Sequence, residues 1–229
     1  MEAVISAAGD FDEIWCLGDM VGYGPDPNEC VSLLQQFPHV AVAGNHDWAA
    51  VGLVSLDDFN PWARAAAEWT AENLEPSVRA YLQNLPVEMQ KEKFTLVHGS
   101  PRSPVWEYID SAPVAWRNME LLETPYCLVG HTHVPALFVD LGAILRRARH
   151  VRVAGDVVRF KFGRARVIAN PGSVGQPRDG DYRAAYMILD TEAGQAEIRR
   201  VAYDVEATQR RMLELGLPSR NAYRLSLGH

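Results

Sequence analysis

Two of the chain's 7 histidines lie two positions apart in Gly130-His131-Thr132-His133, directly after the apolar run Tyr126-Cys127-Leu128-Val129. A short run rich in β-formers and closed by glycine reads as a buried strand. Side chains alternate along extended chain, so His131 and His133 are expected on one side. Two neutral imidazoles converging at a strand end suit a transition metal. A lone His-x-His is more often a pair of loop residues, so recurrence of the pattern has to carry the case. It recurs three times. Ile14–Leu17 runs into Gly18-Asp19, His39–Ala43 into Gly44-Asn45-His46-Asp47, and Phe94–Val97 into His98-Gly99. Ligands of open α/β sheets bind beyond the carboxyl ends of the strands. As parallel neighbours, these four strands would bring a carboxylate, an amide and three or four imidazoles to one crevice. The adjacent glycines would let backbones approach closely. Oxygen and nitrogen donors without thiolate point to Mn²⁺, Fe, Zn²⁺, Ni²⁺ or Co²⁺ ahead of Mg²⁺.

The elements that must position these groups follow from pattern and punctuation. The opening residues read as the tail of a helix stopped by Gly9. Cys30, Val31, Leu33, Leu34 and Phe37 fit a one-sided helix over 28–37. Asn60-Pro61 opens an alanine-rich helix to Leu74, and a shorter one spans about 77–84. Pro113–Leu122 reads as helix. Beyond His133 short β-type runs take over, at 137–141, 150–153, 157–162, 165–169, 184–189 and 197–203. Gly155-Asp156 and Gly163-Arg164 suggest hairpins. A last helix starts near Asp204 and stops at Gly216. The first part alternates strand and helix and the second is mostly strand. That implies an α/β fold in which a parallel sheet faces a more antiparallel one, with helices outside. No linker or repeat divides the 229 residues, so a single domain over 1–229 is expected.

Composition narrows the function classes. With 22 basic and 29 acidic residues, the net charge of −7 argues against a general nucleic-acid or anionic-membrane binder. Arg146-Arg147-Ala148-Arg149 reads as a solvated face. No apolar run approaches membrane-spanning length, and Met1-Glu2-Ala3-Val4 lacks a basic, apolar leader. Cys16, Cys30 and Cys127 sit among apolar neighbours and read as buried thiols in a reducing cytoplasm.

The ordered segments Leu17–Pro25, Gly44-Asn45-His46-Asp47, Val97–Pro101, Gly130-His131-Thr132-His133 and Asn170–Gly175 resemble the calcineurin-like metallophosphoesterases, in particular the small bacterial and archaeal phosphodiesterases. The resemblance covers nearly the whole chain. It implies a four-layer α/β/β/α sandwich and a centre of two divalent transition-metal ions, Mn first among them. Hydrolysis of a phosphodiester or phosphomonoester by a metal-activated water would follow. It further implies that Asp19 bridges both ions, that Asn45, His98 and His131 complete one site, and that His133 serves the other. His46, oriented by Asp47, would sit over a small phosphoester substrate and stabilise or protonate its leaving oxygen. A homodimer is an expectation from the resemblance alone.

One part of the family pattern has no match. The Asp-x-His motif of the opening strand is absent, because Asp10 and Asp12 lack a histidine at that spacing. Five visible ligands suit one site but leave the second with only Asp19 and His133. The expectation is a translation start further upstream, supplying a first strand and part of a helix over on the order of 15 to 20 residues. The alternative function is a binding or scaffold protein with a degenerate metal site on the same fold. Tyr23, Arg102 and Arg178 lie in loops beside the motifs and are left outside the expected site. Asn170–Gly175 reads equally as a site-lining loop or a tight turn.

Overall fold

The computed structural model describes residues 1–142 and 144–229. Helix α1 (Glu2–Ala8) is followed by strand β1 (Ile14–Cys16), α2 (Pro27–Leu34), β2 (His39–Ala41) and α3 (Asn45–Ala50). Helices α4 (Pro61–Asn73) and α5 (Pro76–Gln83) precede β3 (Glu88–Lys91), β4 (Phe94–Val97), α6 (Ala112–Met119) and β5 (Tyr126–Leu128). Then come β6 (Ala136–Asp140), β7 (Ala148–Arg152), β8 (Val157–Lys161), β9 (Val167–Asn170), β10 (Ala184–Asp190) and β11 (Gln195–Val201). Helices α7 (Val205–Glu214) and α8 (Ser219–Tyr223) and a final 3-10 turn (Arg224–Leu227) close the chain.

The helix starts are fixed by side chains that take orphan N–H groups. Asn60 accepts from Trp62 and Ala63 at 3.2 and 3.0 Å, with Pro61 in the first turn. Asp204 accepts from Ala207 at 2.8 Å. Gly9 ends α1 with φ 77°, a conformation that costs glycine little.

Strands β1 and β2 pair in parallel. Strands β10, β11 and β8 form an antiparallel three-stranded sheet, and a six-stranded sheet runs β3-β4-β5-β9-β6-β7. In that larger sheet β4, β5 and β9 are parallel, whereas β3, β6 and β7 run against their neighbours. Its inner face packs Phe94, Leu96, Tyr126 and Leu128 against Val42, Ala196 and Ile198 from the facing layer. Its outer face is covered by α6, where Ala115 and Met119 meet Cys127, Phe138 and Ile168. Helix α1 rests on β10 and β11, and α2, α3 and α5 pack around Val31, Ala50 and Leu82. The larger of these side chains, such as Phe94, Leu96, Leu128 and Ile198, each contribute roughly 1.5–3 kcal/mol on leaving water. The expected helix–sheet–sheet–helix sandwich is the fold observed.

Local expectations fail in instructive places. Gly155-Asp156 and Gly163-Arg164 are not hairpin turns. β7 pairs β6 and β8 pairs β11, so both turns carry the chain from one sheet to the other. Turn chemistry is local, whereas a strand's partner is set by which apolar face it can bury. Strand β3, Glu-Met-Gln-Lys, has no apolar alternation and exists because it hydrogen-bonds the exposed edge of β4. Among the described residues no ladder joins β1–β2 to β10–β11–β8. No helix among them is long and apolar enough to cross a membrane, and the three cysteines are unpaired.

Candidate metal centre

The four strand ends converge, but not as a row of four neighbours. β1 and β2 end side by side in one layer, and β4 and β5 end side by side in the facing layer. The crevice lies where the two pairs meet. Two glycines allow the loops to interlock there. A Cβ at Gly44 would sit 2.1 Å from Asp19 Oδ1. One at Gly18, whose φ is +86°, would sit 2.6 Å from the Gly44 nitrogen and 2.8 Å from His98 Nδ1.

Main-chain carbonyls set the histidine tautomers. His98 Nδ1 lies 2.6 Å from the Leu17 carbonyl, His131 Nε2 3.1 Å from that of Trp106, and His133 Nδ1 2.7 Å from that of Gln176. In a neutral imidazole the nitrogen facing a carbonyl carries the hydrogen, so the other nitrogen carries the lone pair. In the neutral, metal-binding forms the lone pairs are therefore on His98 Nε2, His131 Nδ1 and His133 Nε2. The first two lie 3.0 Å apart, and Asp19 Oδ2 is 3.4 Å from His98 Nε2. Ligand atoms of Asp19, His98 and His131 all fall within 4.8 Å of one another. His133 is outside that group. Asn45, at the start of α3, is buried and its Oδ1 has no hydrogen-bond partner. A carboxylate and two imidazole nitrogens form a donor set that fits a divalent cation, and the orphaned Asn45 oxygen is a further donor in search of a partner.

Strand alternation is not what orients the two histidines of the opening motif. Strand β5 ends at Leu128, and His131 and His133 have φ of 61° and 59°, with Asp19 at 54°. Asp and His enter this left-handed region more readily than most residues, at a cost of order 1–3 kcal/mol each. Three expected ligands thus sit on backbone held away from its preferred state by surrounding bonds. One source is Asn170, whose side-chain amide donates to the Gly130 carbonyl at 2.5 Å and to Thr132 Oγ1 at 3.0 Å. Asn170, which opens the Asn170–Gly175 turn, thus braces the loop that carries the two histidines.

Asp47 does not orient His46. Successive residues on a helix point about 100° apart, and Asp47 turns inward. It is fully buried and accepts the backbone N–H groups of Asp19, Gly44 and Val21 at 2.8, 2.9 and 3.2 Å. His46 is positioned by aromatic rings instead. Tyr23 stacks on it at 3.9 Å between ring centres, and Phe59 meets it edge-on at 5.0 Å. Tyr108 stacks on His131 at 4.0 Å with 10° between planes.

Burial dominates the titration of the cluster. It lowers His46 to about 4 and His131 to about 3, and lowers His133 as well, so all three are neutral ligands or bases at neutral pH. For Asp19 burial pushes upward, but the neighbouring imidazoles, which all become charged in the acid range where a carboxyl titrates, outweigh it, His98 first, and hold the carboxyl well below its usual range. His98 moves the other way. Burial lowers it, and the Asp19 carboxylate more than restores it, which favours a second proton on Nε2 that an arriving metal ion would have to displace. Burial and the Asp19 charge push Asp47 up to about 7 against the pull of its backbone donors.

Sequence reasoning missed Trp106, Tyr108 and Gln176. The roles of Trp106 and Gln176 lie in backbone carbonyls, which leave no trace in residue type. Tyr23 did carry a signal, its position four residues after Asp19, and its hydroxyl donates to Asp19 Oδ2 at 3.3 Å.

Comparison with known proteins bears on the family and the fold. The sequence profile of the calcineurin-like phosphoesterase superfamily domain matches residues 1–194. An uncharacterized protein of Methanocaldococcus jannaschii is 34% identical over 223 residues, spanning 94% of this chain and 86% of that protein. The crystal structure of a metallophosphoesterase from Sphaerobacter thermophilus is 46% identical with a TM-score of 0.89, covering 100% of this chain and 93% of that one. A hypothetical protein from Pyrococcus horikoshii OT3, 20% identical with a TM-score of 0.77 over 100% of this chain and 90% of that one, shares the fold. The chain belongs to the calcineurin-like phosphoesterase superfamily, a family that uses divalent metals.

Proposed function

We propose that this protein hydrolyses a small phosphoester, a diester in preference to a monoester, at a divalent-metal centre. Asp19, Asn45, His98 and His131 hold one ion, and His133 with Asp19 serves a second. The observation that carries this is the convergence of two carbonyl-fixed ring nitrogens and the Asp19 carboxylate in one buried crevice; the buried Asn45 oxygen, which has no partner, supports it. When bound, the ions supply an activated water and charge neutralisation at phosphorus. The oxygen and nitrogen donors favour Mn²⁺, with Fe, Zn²⁺, Ni²⁺ and Co²⁺ also suited. The protein's own part is to fix the ligands and to place His46 against the leaving oxygen. Burial keeps His46 neutral in the resting crevice, and its Nδ1 has no protein partner. Such a group receives or donates a proton only when substrate enters. Support for a diester comes from the ordered motifs, which resemble those of the small phosphodiesterases.

The test is hydrolysis of bis(p-nitrophenyl) phosphate and p-nitrophenyl phosphate by Mn²⁺-loaded protein. Diester turnover that a chelator abolishes, and that His131→Ala reduces at least 100-fold, is the expected result. Protein that retains Mn²⁺ yet hydrolyses neither ester is a scaffold, and the proposal fails.

A further inference from the structure

Arg178 is a cation without a carboxylate. Arg183 pairs with Asp156 and Asp181 at 2.7 Å each, Arg200 pairs with Asp179 and Asp181, and Arg102 pairs with Glu107. Among the described residues no acidic side chain is within ion-pair reach of Arg178. Its Nη2 meets only neutral oxygens, Gln176 Oε1 at 3.0 Å and the Tyr23 hydroxyl at 3.4 Å, and its buried Nε has no partner. A guanidinium has five N–H donors in a planar fork, so most of its capacity is unused here. A partly buried, unpaired charge is costly unless an opposite charge completes the site.

Its position says which charge. The guanidinium lies 5.7 Å from the centre of the Tyr23 ring. That same ring stacks on His46 and meets His133 edge-on at 5.2 Å. The Arg178 backbone N–H donates to the His133 carbonyl at 3.1 Å, which ties its loop to the histidine. A second cation is close by. Burial and then the like charge of Arg178 lower the Arg224 guanidinium from its usual value.

We propose that Arg178 is an oxyanion seat, taking a non-bridging phosphoryl oxygen of the substrate on the His133 side of the crevice, with Tyr23 and Gln176 bracing the guanidinium. This rests on the phosphoesterase reading above. The fork geometry suits two parallel bonds to a phosphoryl group, which a lysine cannot reproduce.

Three measurements on Mn²⁺-loaded protein test it: Mn²⁺ content, affinity for inorganic phosphate by calorimetry, and KM for bis(p-nitrophenyl) phosphate. For Arg178→Gln we expect unchanged Mn²⁺ content with phosphate affinity weaker by on the order of 10- to 100-fold, the loss typical of a charge-assisted bond. KM should rise by a similar factor with a smaller change in kcat, and Arg178→Lys should restore only part. Phosphate affinity and KM within twofold of wild type in the Gln variant would overturn the seat. Should that variant lose its Mn²⁺, phenylglyoxal labelling of unmodified wild-type protein decides. Protection of Arg178 by phosphate, read by peptide mass spectrometry, supports the seat, and equal labelling with and without phosphate rejects it. Wild-type protein that hydrolyses no ester but shows Arg178-dependent phosphate binding keeps the seat and removes the phosphoesterase reading.

Discussion

Asp19 and Asp47 are clasped across the crevice. Asp47 Oδ2 accepts the Asp19 backbone N–H at 2.8 Å, and Asp19 Oδ1 accepts the N–H of His46, the neighbour of Asp47, at 2.9 Å. The start of α3 is thereby stitched to the loop after β1. Asp47 holds the backbone of an expected ligand, Asp19, through its main-chain N–H.

Removing that clasp should cost stability before anything else. Asp47→Ala leaves the N–H groups of Asp19, Gly44 and Val21 without their acceptor. A buried donor left unsatisfied costs roughly 1–3 kcal/mol. We expect Asp47→Ala to lower the unfolding free energy by at least about 3 kcal/mol in urea, and Asp47→Asn, which keeps one oxygen, by less. A loss below about 1 kcal/mol for the alanine variant would show that water or a rearranged loop replaces the carboxylate.

Gly44→Ala tests the close approach of the two loops. The new methyl would overlap Asp19 Oδ1, at 2.1 Å. The carboxylate or α3 has to move, and supporting changes of this kind weaken metal binding by about 10- to 100-fold. Mn²⁺ titration followed by electron paramagnetic resonance reads the shift. Unchanged affinity would mean that the loops separate freely.

The histidines of the Gly130–His133 motif should be unequal. His131 shares a cluster with Asp19 and His98, whereas His133 lies outside it. His131→Ala should abolish the tighter Mn²⁺ event in calorimetry, and His133→Ala should leave it intact while removing any weaker second event. Equal loss of both events in the two variants would contradict this division.

Stability of the metal-free protein should fall on acidification from about pH 6.5 to 4. His46, His131 and His133 have lowered folded pKa values, so the unfolded chain takes up their protons first and acid favours unfolding. Asp47 opposes them, because its folded value near 7 keeps a proton that the unfolded chain releases. His98 is raised, so its contribution is already complete below pH 6.5 and is lost only as pH rises through its folded value. The Asp19 contribution is full and constant across this range and is lost only below about pH 4, progressively, as pH falls towards its depressed folded value. Three protons against one leave a net uptake of two on unfolding, a slope of at most about 2.7 kcal/mol per pH unit. Urea melts across this range check the sign. Flat or rising stability towards pH 4 would refute it.

How much of this was legible in the sequence depends on the distance over which each cause acts. The helix starts at Asn60 and Asp204 and the glycine stop at Gly9 involve groups only a few residues apart, and residue type alone specified them. The four glycine-bounded strand ends marked Asp19, Asn45, His46, Asp47, His98, His131 and His133 because ligand chemistry allows few residue types. Sheet membership was not legible. Strands β7 and β8 are separated by a turn that reads as a hairpin, yet β7 pairs back with β6, the strand before it, and β8 pairs with β11, more than thirty residues further on. Tertiary structure alone decided which imidazole nitrogen is free, since the carbonyls of Leu17, Trp106 and Gln176 come from other loops. It alone turned Asp47 from His46 to the backbone of Asp19. It also separated Arg102, already paired with Glu107, from Arg178, which has no acid. Residue types determined which atoms can bind a metal or an anion. Only folding decides which of those atoms remain without a partner, because that depends on what every other loop brings within 3 to 4 Å.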